Sequence, residues 1–400
     1  MPAFDPEPAP PEARLRPLLG EIPSALFTER FYLSCELVDA YALEWAVELA
    51  HRLGLAEPLA QAVGAGELLA RRGFTPGFLR PLTWILERLR AAGLVAALDG
   101  GGGERRFRRT GPLPAAQLAD RRRQGLAIDP ENARFLDLLD VAAEVYPEVA
   151  RGATTGEAAL LGAGHAALWA AYFSNANPVY DINNRVAAAA AVRRLPAGKV
   201  RLLEVGAGTG SSSLALLEEL AAADRLADVA AFQVTEPVAF FRRRGQRELA
   251  ARFPAAPLTF GPLDIDRSWE AQGIAPGSLE LIFGVNVFHV ARDLPVSLRE
   301  GLRSLAPGGW LIAGECVRPY GDEPVAAELI FQIFQGFVDV MTDPELRPQP
   351  GFLTPEQWRA LFQHAGFCEV AIRPDVRQVR EIYRRFQTAA VCGRREPSAL

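Results

Sequence analysis

Several things are scarce in this 400-residue chain, and each shortage excludes a class of function. There are only four cysteines, Cys35, Cys316, Cys368 and Cys392, scattered with no CxxC pair and no adjacent histidine cluster. That leaves no disulfide framework and no zinc-finger spacing, and no metal site is expected. Basic residues are not in excess: Lys+Arg total 43 against 48 Asp+Glu, for a formal net charge of -5. A dedicated nucleic-acid binder carries the opposite balance, so a small or carrier-bound substrate is expected instead. The first residues, MPAFDPEPAPPEAR, lack the basic start and apolar core of a signal peptide. Apolar runs are interrupted by charges before they reach the ~18 residues of a membrane span. With no internal repeat either, the expectation is a reduced, cytoplasmic, soluble protein of about two domains.

What is present falls into four stretches. Residues 1–20, rich in Pro, Ala and acidic residues, read as a flexible tail. Residues 21–128 read as a helical, winged-helix-like domain. EWAVELAHRLG places apolar residues at helical spacing and stops at Gly54, and a second helix follows near Leu59 to Arg72. A third contains LRPLTWILERLRAAG, with Pro81 early enough to delay or kink its start. LVAALDGGGGERRFRRT then reads as strand, glycine-rich turn and strand. DNA binding through Arg80, Arg88 and Arg90 of the third helix is one reading. A dimerising or substrate-capping domain suits the acidic chain and the apolar helix better. Residues 129–198 read as a helical connector able to act as a lid, and residues 199–395 as the catalytic domain.

From Lys199 strands and helices alternate: VRLLEVG, SSSLALLEEL, VAAFQVTE, then LTFGPLD, LELIFGVNVF and GGWLIAGEC. Such alternation specifies an α/β fold with a mainly parallel sheet covered on both faces. Within it, EVGAGTG follows a strand and opens a helix. Its spacing is GxGxG, not the GxGxxG of dinucleotide folds. Glu204 before Gly206, Gly208 and Gly210 would repel a pyrophosphate and attract an ammonium group. An amino-acid-bearing nucleoside such as S-adenosylmethionine (SAM) therefore fits this loop better than a dinucleotide.

EVGAGTG also resembles motif I of the class I SAM-dependent methyltransferases. Further elements resemble, in order, those of the C-methyltransferase domains of polyketide synthases: YDINN upstream, LDID (Leu263 to Asp266), NVFHV (Asn286 to Val290) and APGGWLIAGE (Ala306 to Glu315). The resemblance covers roughly Tyr146 to Gly393. It implies a Rossmann-like, mainly parallel seven-stranded sheet with SAM as cofactor. Glu236 would bind the ribose hydroxyls, Asp264 the adenine amino group and Asn286 the methionine side, with Ile265 also in the cofactor site. His289 and Glu315 match a catalytic His–Glu pair, in which the imidazole removes an acidic carbon-bound proton and the carboxylate holds its tautomer. Tyr180 and Asn184 are further catalytic candidates. Tyr172, Asn175, Asn183 and Phe334 are candidates for substrate binding, and Phe331, Phe334 and Phe337 lie at helical spacing, which first suggests packing. His51, His165 and His364 read as structural.

The N-terminal region resembles the domain that small-molecule O-methyltransferases use to dimerise and cover substrate, so a homodimer is an expectation. C-methylation of an activated carbon in polyketide-like metabolism leads. O-methylation, cyclisation of SAM itself with release of methylthioadenosine, and a winged-helix regulator stay open.

Overall fold

The computed structural model describes residues 4–99 and 105–397. The chain divides into two compact units: Met1–Pro8, Arg30–Tyr172 and Tyr320–Val338 form one, Ala9–Glu29, Phe173–Pro319 and Asp339–Leu400 the other.

In the first unit a helix over Glu29–Arg52 precedes strand β1 (Val63–Gly64), helices Ala65–Arg72 and Leu79–Ala91, and strands β2 (Val95–Asp99) and β3 (Arg105–Arg109). β3 is central in an antiparallel sheet of order β1-β3-β2. The expected strand pair therefore forms; the turn through Gly100–Gly103 lies outside the described residues. Pro81 does not delay its helix, because it sits in the first turn, where backbone N–H groups lack intrahelical partners anyway. Arg88 of that helix is buried and paired with Asp39 at 2.8 Å, so its charge is spent inside the unit.

The helix Ala133–Ala150 belongs to this unit, and so does the excursion 320–338. The excursion is tied in by side chains. Tyr146 donates to the Leu329 carbonyl at 2.6 Å, and Trp84 Nε1 donates to buried Glu328 at 3.2 Å. Trp169, Tyr172, Phe331, Phe334 and Phe337 form one aromatic cluster, with Phe135 against Tyr172 at 5.5 Å.

The second unit carries a seven-stranded sheet of order β6-β5-β4-β7-β8-β10-β9. Its strands are β4 (Val200–Glu204), β5 (Val229–Thr235), β6 (Leu258–Gly261), β7 (Leu279–Val285), β8 (Leu305–Cys316), β9 (Glu369–Arg373) and β10 (Thr388–Arg394). Neighbours from β6 to β8 run parallel, and β10 is antiparallel to β8 and β9. This is the Rossmann-like architecture expected from the alternation. Strand order reverses beside β4, so the loops leaving β4 and β7 part to either side and open a crevice at the carboxyl ends. The helix Pro178–Val192 lies on the sheet through its alanine run; a Cβ on Gly314 of β8 would meet Ala187 Cβ at 2.5 Å. Small residues on both partners permit that close approach.

Two expectations are corrected. Residues 1–20 do not form a tail throughout: Glu12–Leu19 is a helix whose Leu15 and Leu19 are each 1% exposed. The two leucines, one turn apart, bury a stripe that the Pro-rich composition around them masks. Nor is 129–198 one connector, since its part up to Tyr172 belongs to the first unit and the rest to the second. Among the described residues no helix is long and apolar enough to cross a membrane.

Candidate functional site

The crevice is built first by the loop after β4. Gly206 has φ +64°, and a Cβ there would lie 2.4 Å from Val287 Cγ2. Gly208 has φ +54°, nothing stands within 4 Å of its missing Cβ, and it lines the cavity. A ligand can therefore approach its backbone. Gly210 serves packing instead: a Cβ there would press on Gly245 Cα at 3.1 Å, in the helix Ala239–Arg252.

The two acidic residues flanking this loop have different surroundings. Glu204 is fully buried, accepts from the hydroxyls of Ser212 and Ser213, and is not part of the cavity wall. Both of its oxygens thereby anchor the start of the helix Ser211–Ala222. Burial pushes its carboxyl up to about 7. Glu236, at the end of β5, does line the cavity. Its two oxygens accept from the Gly208 N–H at 2.9 Å and the Val238 N–H at 2.8 Å, which turns the carboxylate along the loop. Burial raises its carboxyl as well, against the pull of those N–H donors.

The far wall is Leu263, Asp264, Ile265 and Asp266, and the roof is Val285, Asn286, Val287 and Val290. The cavity measures about 400 Å³, within the range that takes one small-molecule ligand. Asp264 Oδ1 accepts from the Asp266 N–H at 3.0 Å, an Asx turn that shapes this wall. Asn286 sits at φ +52°, a left-handed conformation asparagine tolerates better than most residues. Its Oδ1 accepts from the Cys316 N–H at 2.8 Å, and its side chain hydrogen-bonds Tyr180. Tyr180 lies within the field of Glu204, Glu315 and Glu236, and burial raises its phenol far above the ordinary range.

Two residues beyond the cavity's Val287, the chain turns and buries His289, 4% exposed, against Glu315 of β8. His289 Nδ1 and Glu315 Oε2 are 2.6 Å apart, and Glu315 Oε1 accepts from the Phe288 N–H at 2.9 Å. A carboxylate so held accepts a hydrogen bond from Nδ1–H, a tautomer in which Nε2 carries the lone pair.

No family model matches the chain. Polyketide synthase ThaQ of Burkholderia thailandensis is 30% identical over 309 residues, which is 74% of this chain and 14% of that protein. The chain spans only 4–14% of the length of such curated relatives. Among solved structures, the CurJ carbon methyltransferase superposes with a TM-score of 0.77 at 22% identity, covering 96% of this chain and 98% of that one. The fold is the Rossmann-like methyltransferase fold. A complex of the trans-methyltransferase CalH with SAH has the same fold at a TM-score of 0.59 and 17% identity, covering 90% of this chain and 91% of the other.

Within this methyltransferase fold, Gly206, Gly208, Glu236, Asp264, Ile265, Asn286 and Tyr180 converge on the cavity; Glu204, Gly210, His289 and Glu315 stand behind or beside its wall. Asn175 donates to the Ser211 carbonyl at 2.8 Å and accepts from Asn184 Nδ2 at 2.7 Å, so both brace the helix opening. Asn183 turns the other way and accepts from Thr388 Oγ1 at 3.1 Å. Tyr172 and Phe334 belong to the first unit's aromatic cluster. Sequence reasoning missed Phe173, Val238 and Phe241 of the cavity wall. Val238 and Phe241 stood just past Glu236 at a strand end, where apolar residues carried to the surface are a usable signal; Val238 is 48% exposed.

Proposed function

We propose that this chain is a SAM-dependent C-methyltransferase acting on an activated carbon of a polyketide-like acyl substrate, free or carrier-bound. The observation that carries the reading is the His289–Glu315 pair at 2.6 Å, buried beside a cavity formed by a glycine loop and two acidic strand ends. The cavity suits SAM: Gly208 leaves room for close backbone approach, Glu236 offers a carboxylate to ribose hydroxyls, and the walls are acidic where the ligand is cationic. Asp264 and Ile265 would flank the adenine, and Asn286 and Tyr180 the methionine side. SAM supplies an electrophilic methyl group.

The chain's own residues supply positioning and a base. A carbon between two carbonyls is acidic enough for an imidazole to deprotonate. His289 Nε2 takes that proton, the C–H electron pair becomes the enolate, and Glu315 holds the resulting imidazolium. The helices and small antiparallel sheet of the first unit support reading residues 21–128 as winged-helix-like.

Incubation with SAM and a β-ketoacyl thioester, followed by mass spectrometry, should give the α-methylated thioester. His289→Ala should lose that product yet still bind SAM. Methylation only at oxygen would overturn the carbon assignment, and methylthioadenosine from SAM alone would turn the reading to cyclisation.

A further inference from the structure

The turn that presents His289 is held from two directions. Glu315 holds the imidazole and the Phe288 N–H. The segment after Asp339 holds the backbone. It joins the turn where Met341 N–H donates to the Arg292 carbonyl at 2.8 Å. It then folds tightly, with Asp343 and Arg347 exchanging backbone hydrogen bonds of 2.9 Å and Asp343 Oδ1 capping Glu345 and Leu346. This fold drives the Arg347 side chain inward to 1% exposure. Its guanidinium donates to the Ala291 carbonyl at 2.8 Å and to the carbonyl of His289 itself, while Nε has no partner. A few residues on, Phe352 sets its ring 4.8 Å from the imidazole, and Arg318 Nε fixes the Phe352 carbonyl at 3.3 Å.

A buried guanidinium bonded only to carbonyls is an expensive tie for a turn, because its charge is desolvated without a carboxylate in contact. What sustains it is the field of Glu315 and Asp266; even so, burial pulls it down to about 10, so the cation persists at neutral pH. Arg347 thus holds the backbone carbonyl of His289, while Glu315 holds its ring.

We propose that Arg347 is a positioning residue for His289: by gripping the carbonyls of residues 289 and 291 it keeps the imidazole seated on Glu315. This rests on the His289–Glu315 pair acting as base in the function proposed above.

The test is proton NMR of the full chain, following the low-field Nδ1–H of His289, assigned by its absence in His289→Ala. In the unaltered protein this proton should be protected. Arg347→Met should speed its exchange with water by about tenfold or more, the mark of a locally opened turn, with SAM affinity unchanged. Arg347→Lys, which keeps a charge but only one donor group, should fall between. An unchanged proton in Arg347→Met overturns the inference, and so does loss of SAM affinity together with the proton, which would make Arg347 a general structural residue. Absence of the proton from the unaltered protein overturns this inference and the His–Glu pair together, whereas an unchanged Arg347→Met leaves the proposed chemistry standing.

Discussion

The two units handle buried acidic side chains differently. In the first, Asp39 is ion-paired with Arg88 at 2.8 Å and Glu44 with Arg121 at 3.1 Å, all four well inside. In the second, Glu204, Glu236 and Glu315 are as deeply placed, yet among the described residues none has an arginine or lysine at ion-pair distance. Their partners are two serine hydroxyls, two backbone N–H groups, and a histidine with one more N–H. Glu328 of the first unit also accepts from Trp84 Nε1 and the Val325 N–H. An arginine partner neutralises a buried carboxylate; without one, its charge depends on hydroxyl, N–H and imidazole donors, and burial raises both Glu204 and Glu236.

The sharpest way to break this contrast is to neutralise the catalytic side. Glu315→Gln should slow methyl transfer to a β-ketoacyl thioester by about 10²–10⁴-fold, the usual range for a general-base apparatus, with SAM affinity retained on calorimetry. In the first unit, Arg121→Ala should strand Glu44 and lower unfolding stability by roughly 3–5 kcal/mol in urea titration, without changing SAM affinity.

Glu204 gives a prediction with a sign. Its folded carboxyl is raised to about 7 from 4.5, so its favourable term is complete below the unfolded value and is lost as pH rises through 7. Unfolding free energy should drop across that window, and Glu204→Gln, keeping the seryl contacts but not the charge, should flatten the drop. Equal slopes in both proteins would count against the shift. The smallest effect expected is Glu236→Ala, which should weaken SAM binding by about tenfold, as loss of a hydrogen-bonded carboxylate contact does; unchanged affinity would remove it from the ribose site.

Much of the site was legible because its elements are local. A strand, a GxGxG loop and a helix place Gly206 and Gly208 without long-range information, and acidic residues at strand ends place Glu236 and Asp264 on the same crevice. His289 and Glu315 come together because β7 and β8 are adjacent parallel strands. What failed to read was direction. Asn183 and Asn184 are neighbours on a helix, about 100° apart around its axis, so one faces Thr388 and the other Asn175. Tyr172 ends its helix in the first unit's aromatic cluster, while Phe173, one residue past the helix, lines the cavity. Glu204 turns inward because Ser212 and Ser213, in the first turn of the following helix, donate to its two oxygens. Arg347 lies in a segment with no periodic pattern, and nothing in its neighbours announces that it will be buried.

The excursion 320–338 has a consequence for anyone wishing to dissect the gene. It leaves β8, supplies Glu328 to Trp84 and the Leu329 carbonyl to Tyr146, and returns to the second unit before Asp339. A fragment ending at Tyr172 would carry an indole and a phenol built for partners encoded 244 and 183 residues downstream of them. The two units are therefore interleaved along the message, and neither can be excised by a single cut without taking part of the other's interior with it.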